Sequence, residues 1–486
     1  MIKRIKGKWN NVPITVKVSI AYAICSILQR CLSFITLPLF ARLLTTEQYG
    51  QYTIYQSWSG ILAIFITLNL AYGSFSTAMI KYEDDRNGYI SSVEGICIML
   101  SIVFMIAYLP FKELWNKLFE LPTVFICIMV AELLGTTAIQ LWTGKKRFEY
   151  RYKSVVCITL LMSFVSPILA YLFVVNSNEK GYARIIGYAI VNISVGLFFY
   201  FANAIYGKKL LCKEYWKYAL SFNIPLLVYY LSQVVFNQSD RIMISHMVGK
   251  DKAAIYGVAY SLAMMLTFVL NAINNSYVPW YYGKIKENKQ EENKEISIII
   301  AGIIAILLTG VIWSAPEIIL VFAGEKYYEA IYVVPPVAIS LLLLFYSQLF
   351  INVEFYYEEK TKLIWASISA AVTNLIMNWF CIRRFGFVAA AYTTLLSYII
   401  FALANYFAMK KVLKEKGVMD NAYNYKGLVL LLIIFSFLSI IGMLCYPFFG
   451  IRLVMIVLLL SLIVWKRRVL IEYYKRLKKK DMVEQD

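Results

Sequence analysis

Apolar stretches long enough to cross a bilayer recur fourteen times along this chain, each closed by a short polar break. A helix needs about 20 consecutive apolar residues to span a hydrocarbon core of about 30 Å, and within that core a chain must satisfy its own backbone hydrogen bonds. The pattern predicts an all-α polytopic membrane protein with about 14 transmembrane helices. Composition agrees. The 486 residues are 60% hydrophobic and 16% charged, with mean hydropathy +0.64, whereas soluble proteins carry about 25% charged residues. No break exceeds about 18 residues, so no soluble domain is inserted. The first apolar run follows a basic N-terminus, but it is too long for a cleaved signal and reads as an uncleaved first span.

The formal charge of +19 is a matter of topology. Roughly three quarters of the 48 Lys and Arg fall in alternate loops and at the two ends of the chain, which by the positive-inside rule places those segments in the cytoplasm. The densest are Lys145-Lys146-Arg147 with Arg151 and Lys153, Lys208-Lys209 with Lys213, Lys410-Lys411 with Lys414 and Lys416, and the tail from Lys466 to Lys480. Both termini are expected inside, and a nucleic-acid partner is excluded. The eight cysteines are scattered singly, most of them in spans, so neither a disulfide framework nor a zinc site is expected.

The chain repeats itself. LLTTEQYGQYTIYQS, with Tyr49-Gly50, matches VGKDKAAIYGVAYS, with Tyr256-Gly257, at an offset of 207 residues. GYARIIGYAIV, starting at Gly181, matches GFVAAAYTTLL, starting at Gly386, at an offset of 205. Two matches at nearly one spacing predict two parallel six-helix lobes, residues 1–212 and 213–418. Residues 419–486 add a two-helix hairpin, almost free of polar residues, and the basic tail. Duplicated bundles with a site at the seam are a transporter plan, and Pro38, Pro167, Pro225, Pro279 and Pro335-Pro336 break the spans in ways that suit moving parts.

Polar side chains inside spans point to a wet cavity, since each is costly in hydrocarbon. Arg30 lies thirteen residues beyond Lys17, about 20 Å along a helix, at a depth where an arginine costs about 2.5–3.5 kcal/mol. Tyr22, Ser26, Arg30 and Ser33 share one helical face. Glu132, Thr136, Gln140 and Thr143 repeat the pattern in span 4, and Glu132 is either a cavity residue or a structural partner of Arg30. Span 7 brings Gln233, Asn237, Asp240 and Arg241, of which the last two read best as an exposed local ion pair. Asn271, Asn274 and Asn275 in span 8, Gln348, Asn352 and Glu354 in span 10, and Asn374 and Asn378 in span 11 either line the cavity or hold helices together. Glu94 is read as reaching the interface, and His246, the one histidine, as an incidental surface residue. No Walker loop, dinucleotide fingerprint or HExxH occurs, and Glu83-Asp84-Asp85 reads as a solvated loop. The chain is expected to be no enzyme and to need neither cofactor nor metal.

LSFITLPLFARLLTTEQYGQY resembles the first-span exit of oligosaccharide-lipid flippases. FNQSDRIMISHMVGKDKAAIYGVAYSLA resembles the same family's seventh-to-eighth span pattern, and FGFVAAAYTTLLS the start of its twelfth span. These are the polysaccharide transporters of the multidrug/oligosaccharidyl-lipid/polysaccharide exporter superfamily, most closely the O-antigen-type flippases. The resemblance implies two lobes around a V-shaped cavity that opens alternately to either side of a bacterial plasma (inner) membrane. It also implies an undecaprenyl-diphosphate-linked oligosaccharide as cargo, with a polysaccharide polymerase and chain-length proteins as partners. Arg30 would meet the diphosphate; the second half has no equally deep arginine. A lipid-linked peptidoglycan precursor flippase and a drug/cation antiporter of the same superfamily are the alternatives, and a membrane-embedded glycan polymerase is a third.

Overall fold

Thr45 and Gln48 open the second helix with a reciprocal cap. The Gln48 N–H donates to Thr45 Oγ1 and the Thr45 N–H to Gln48 Oε1, both at 3.2 Å, so two otherwise orphaned donors are satisfied. The computed structural model describes residues 14–359 and 361–465. The basic tail from Lys466 and the first thirteen residues, on which the expected sidedness of both termini rests, lie outside the described residues. Among the described residues there are nineteen α-helices, four short 3-10 segments and no strand, which is the expected all-α class.

The helices fall into two compact units, Met1–Ala254 and Ile255–Asp486. The first holds α1 (Ile14–Leu43), α2 (Thr46–Thr67), α3 (Phe75–Lys81), α4 (Arg86–Tyr108), α5 (Lys112–Phe119), α6 (Thr123–Phe148), α7 (Tyr152–Val175), α8 (Lys180–Gly207), α9 (Lys213–Asn223) and α10 (Leu227–Met247). Helix α8 is its centre, with α2, α4, α6 and α7 packed around it. Small residues allow the close approach that membrane helices use in place of a hydrophobic drive. A Cβ on Gly196 would lie 2.2 Å from Gly135 Cα on α6, and one on Gly187 would lie 2.3 Å from Ala170 Cα on α7.

Lys250–Met264 forms α11, within which the division between units falls. Beyond it come α12 (Thr267–Lys286), α13 (Asn293–Trp313), α14 (Ala315–Phe322), α15 (Val334–Tyr356), α16 (Thr361–Phe385), α17 (Ala389–Glu415), α18 (Tyr425–Leu444) and α19 (Phe449–Trp465). Helix α15 is the core of this unit, with α17, α13 and α18 against it. The hairpin α18–α19 is not a plain apolar addition. Arg452, 4% exposed, donates to Glu317 Oε2 at 2.6 Å and to the Trp313 carbonyl at 3.3 Å, while Trp313 Nε1 donates to the Leu438 carbonyl at 3.1 Å. These bonds fasten the hairpin to α13 and α14.

Among the described residues eleven helices are long and apolar enough to cross a membrane, or twelve if α9 and α10, bent by 57°, make one span. Fourteen were expected, and two places account for the difference. Helix α2 has 22 residues, but Glu47, Gln48, Gln51 and Gln56 make it too polar to qualify. The last span is described as apolar only over Phe449–Ser461, less than a bilayer's width. Pro225 sits in the break between α9 and α10, as its missing N–H favours. Pro335-Pro336 instead begins α15, where a helix tolerates proline without a kink.

Candidate functional site

Helix α1 packs along one stripe. Cys25, Leu37 and Phe40 are buried, α7 is its main neighbour, and Gln29 Nε2 donates to Ser163 Oγ at 3.2 Å. Ser26, Arg30 and Ser33 are exposed on another stripe, with Tyr22 half-buried beside them. Ile27 and Phe34 are exposed beside them, and Arg30 stands outside the packed interior of its unit. On α6, Gln140 is exposed and Thr136 and Thr143 are half-buried. One turn beyond Thr143, the exposed Arg147 places its guanidinium carbon 5.2 Å from the centroid of the Tyr22 ring. That contact joins the polar faces of α1 and α6.

Glu132 has other company. It is 8% exposed, accepting from Tyr55 Oη at 2.6 Å on one oxygen and from Asn192 Nδ2 at 2.7 Å on the other. Both donors are fixed on α2 and α8, so the carboxylate is a buried junction of three helices. The hydrogen bonds of Glu132 thus go to Tyr55 and Asn192 rather than to Arg30.

Three further readings change. Glu94 does not reach the interface: it is 2% exposed and takes a hydrogen bond from Asn203 Nδ2 at 2.7 Å. Asp240 is buried at 2% rather than exposed, and the adjacent Arg241 donates to Gln238 Oε1 at 2.6 Å and to the Asn237 carbonyl at 3.1 Å. His246 is engaged, with Nδ1 3.2 Å from Glu120 Oε1 and Nε2 2.8 Å from the Leu118 carbonyl. Glu120 also accepts from Ser245 Oγ. In the acidic trio Asp85 caps α4 through the Gly88 N–H and accepts from Lys209 and Tyr215.

In the second unit the amides form two sets. Gln348 Nε2 donates to Asn271 Oδ1 at 3.4 Å and Asn352 Nδ2 to Asn274 Oδ1 at 2.9 Å, linking α12 with α15. Asn374 donates to Thr394 Oγ1 and Asn378 Nδ2 to Asn374 Oδ1, both at 3.1 Å, while Thr393 donates to Asn378 Oδ1. Asn374 and Asn378 are fully buried. This second set is a helix-to-helix joint between α16 and α17. Glu354 is also fully buried, and neither carboxyl oxygen has a hydrogen-bond partner.

Arg184, near the start of α8, was not among the cations expected inside the membrane. It is 5% exposed, with its guanidinium carbon 3.6 Å from the Tyr52 ring centroid, 4.4 Å from that of Phe40 and 4.8 Å from that of Tyr49. The rings come from α1 and α2 and the arginine from α8. Only the density of aromatic residues around Tyr49-Gly50 hinted at it.

Comparisons with known proteins place the chain. Residues 15–282 match the family described as polysaccharide biosynthesis protein, and residues 225–380 match the family described as MatE. The Lsg locus protein 1 of Haemophilus influenzae is 26% identical over 375 residues, which is 72% of this chain and 86% of that protein. A second Haemophilus influenzae membrane protein is 22% identical over 376 residues, 74% of this chain and 88% of that one. Among solved structures, lipid II flippase MurJ in an inward closed conformation aligns with a TM-score of 0.67 at 15% identity, over 93% of this chain and all of that one. An inward-facing multidrug resistance MATE family transporter of the MOP superfamily aligns with a TM-score of 0.58 at 14% identity, over 82% and 99%. At these identities the structural likeness speaks for the fold.

Proposed function

Because the chain belongs to the polysaccharide biosynthesis protein family, we propose that it is a flippase for undecaprenyl-diphosphate-linked oligosaccharide repeat units, moving them from the inner to the outer leaflet by alternating access. The observation that carries this reading is Arg30, an exposed arginine two turns beyond Tyr22 near the middle of α1. A diphosphate headgroup loses its water at that depth and needs both charge and donors, which a guanidinium supplies. The neighbouring hydroxyls of Ser26 and Ser33 and the amide of Gln140 suit sugar hydroxyls. The prenyl tail would remain in lipid.

In this reading residues 1–212 and 213–418 form two six-helix lobes around a V-shaped cavity, with fourteen spans once the C-terminal hairpin is counted. Both termini face the cytoplasm of a bacterial cell, and a polymerase and chain-length proteins receive the product. Deleting the protein should make the lipid-linked repeat unit accumulate on the inner leaflet, and restoring it should clear that pool. An unchanged pool would refute the assignment. A second reading, a flippase for a lipid-linked peptidoglycan precursor, is favoured by the likeness to the MurJ fold. It predicts accumulation of that precursor instead.

A further inference from the structure

Five basic residues cluster at the end of α6 and the start of α7, and three of them pair with Glu149. Lys145, Lys146 and Arg151 lie 3.5, 2.8 and 3.7 Å from Glu149, and Lys145 also donates to Asn87 Oδ1. Lys153 is exposed at the start of α7. Arg147, exposed like Lys153, differs from it in having a ring contact. Among the described residues no carboxylate pairs with it, and its guanidinium lies toward the Tyr22 ring. The Tyr22 hydroxyl is itself buried, with the Arg147 guanidinium as its polar neighbour. From Tyr22 the face of α1 continues through Ser26 to Arg30, eight residues on and about 12 Å deeper into the membrane.

We propose that Arg147 and Tyr22 form a first anion-binding station for the substrate's diphosphate, which passes from there to Arg30. This deepens the flippase reading and rests on it. Tyr22 and Arg30 stand about 12 Å apart along α1, so on this arrangement the two cations meet the headgroup one after the other. Arg147 sits at the end of α6 that the positive-inside rule assigns to the cytoplasm, where an inner-leaflet headgroup first arrives. Its contact with Tyr22 holds the guanidinium beside the ring and hydroxyl, and the five-donor fork has further N–H groups for phosphate oxygens. The second cation that the sequence did not supply from the other half is thus supplied by the same half.

The test uses the full-length protein in nanodiscs, with undecaprenyl diphosphate as probe and undecaprenol and phosphatidylglycerol as controls. Arg147→Gln should weaken undecaprenyl diphosphate binding about tenfold, with undecaprenol binding unchanged and the same thermal midpoint. Tyr22→Phe, which keeps the ring, should weaken it a few-fold. If Arg147→Gln and Tyr22→Phe bind the probe like wild type while Arg30→Gln does not, the station is overturned and the flippase reading stands. Equal weakening toward phosphatidylglycerol would also overturn it, marking Arg147 as a general lipid-surface charge. A wild-type protein that binds the diphosphate no better than undecaprenol would overturn the station and the flippase reading together.

Discussion

The guanidinium of Arg184 lies 3.6 Å from the centroid of the Tyr52 ring, buried at 5% exposure, and its Nε and Nη1 make no hydrogen bond. Among the described residues no carboxylate pairs with it. Phe40 and Tyr49 complete the enclosure, and the Tyr49 and Tyr188 hydroxyls accept from the guanidinium, so ring faces and phenol oxygens together replace the counter-ion that a buried arginine normally requires. The Tyr49-Gly50 pair has a second use here. A Cβ on Gly50 would lie 2.1 Å from the Lys250 carbonyl oxygen, so only glycine permits that approach while the flanking tyrosines cover the cation.

The order of two substitutions tests the cage. Tyr52→Leu removes the nearest ring and leaves a buried charge partly uncovered, at a cost of about 2 kcal/mol. Arg184→Met removes the charge and keeps an apolar stem of similar length, so it should stay within about 1 kcal/mol of wild type. Thermal unfolding of the purified protein should rank Tyr52→Leu below Arg184→Met, with the double variant close to Arg184→Met. The reverse ranking would mean that the guanidinium makes stronger bonds than its ring contacts.

The all-α membrane class, most spans and the Tyr22–Ser26–Arg30 face were legible because helical periodicity and hydropathy are local properties. The partners of buried polar groups were not. Glu132 takes its bonds from residues 77 and 60 positions away, and no spacing rule along one span reveals which neighbour lies across from it. Glu94 and Asp240 were misplaced for the same reason: nearness to a span's end does not tell which side faces a neighbouring helix. His246 was read as incidental because its partners, Glu120 and Leu118, lie at the end of α5, more than a hundred residues earlier.

Acid should loosen the basic corner at the end of α6. Partial burial works against the Glu149 carboxylate, but its hydrogen bond from Lys146 and the charges of Lys145, Lys146 and Arg151 outweigh that and hold it below the usual carboxylate range. A depressed folded value means that the stabilisation is present above the unfolded value of about 4.3 and is lost as pH falls through the folded one. Glu149→Gln should therefore lower the thermal midpoint at pH 7 and converge with wild type in acid below about pH 4. A constant difference between the two proteins across that range would remove Glu149 as the source.

Sidedness can be checked at two ends of one helix. Asn178 follows the end of α7, is exposed, and its carbonyl accepts from Gln48 Nε2 at 3.3 Å. The Lys145–Lys153 segment lies at the other end of α7. A cysteine placed at Asn178 should react with an impermeant thiol reagent in intact cells, and one placed at Lys153 should react only after permeabilisation. Labelling of the second position in intact cells would invert the proposed orientation.

Arg30→Ala should reduce translocation of the lipid-linked glycan more than about tenfold in a protein that still inserts and accumulates. Arg30→Lys should retain part of the activity, since lysine keeps the charge but not the planar fork. Glu132→Ala acts elsewhere: it strips the acceptor from Tyr55 and Asn192 and costs about 1–3 kcal/mol of stability by leaving buried donors unmet. Because Glu132 takes its hydrogen bonds from those donors, the double variant Arg30→Ala with Glu132→Ala should be as inactive as Arg30→Ala and less stable. Recovery of transport in the double variant would show that Arg30 serves only to neutralise Glu132, and the role of Arg30 in holding the diphosphate would have to be given up.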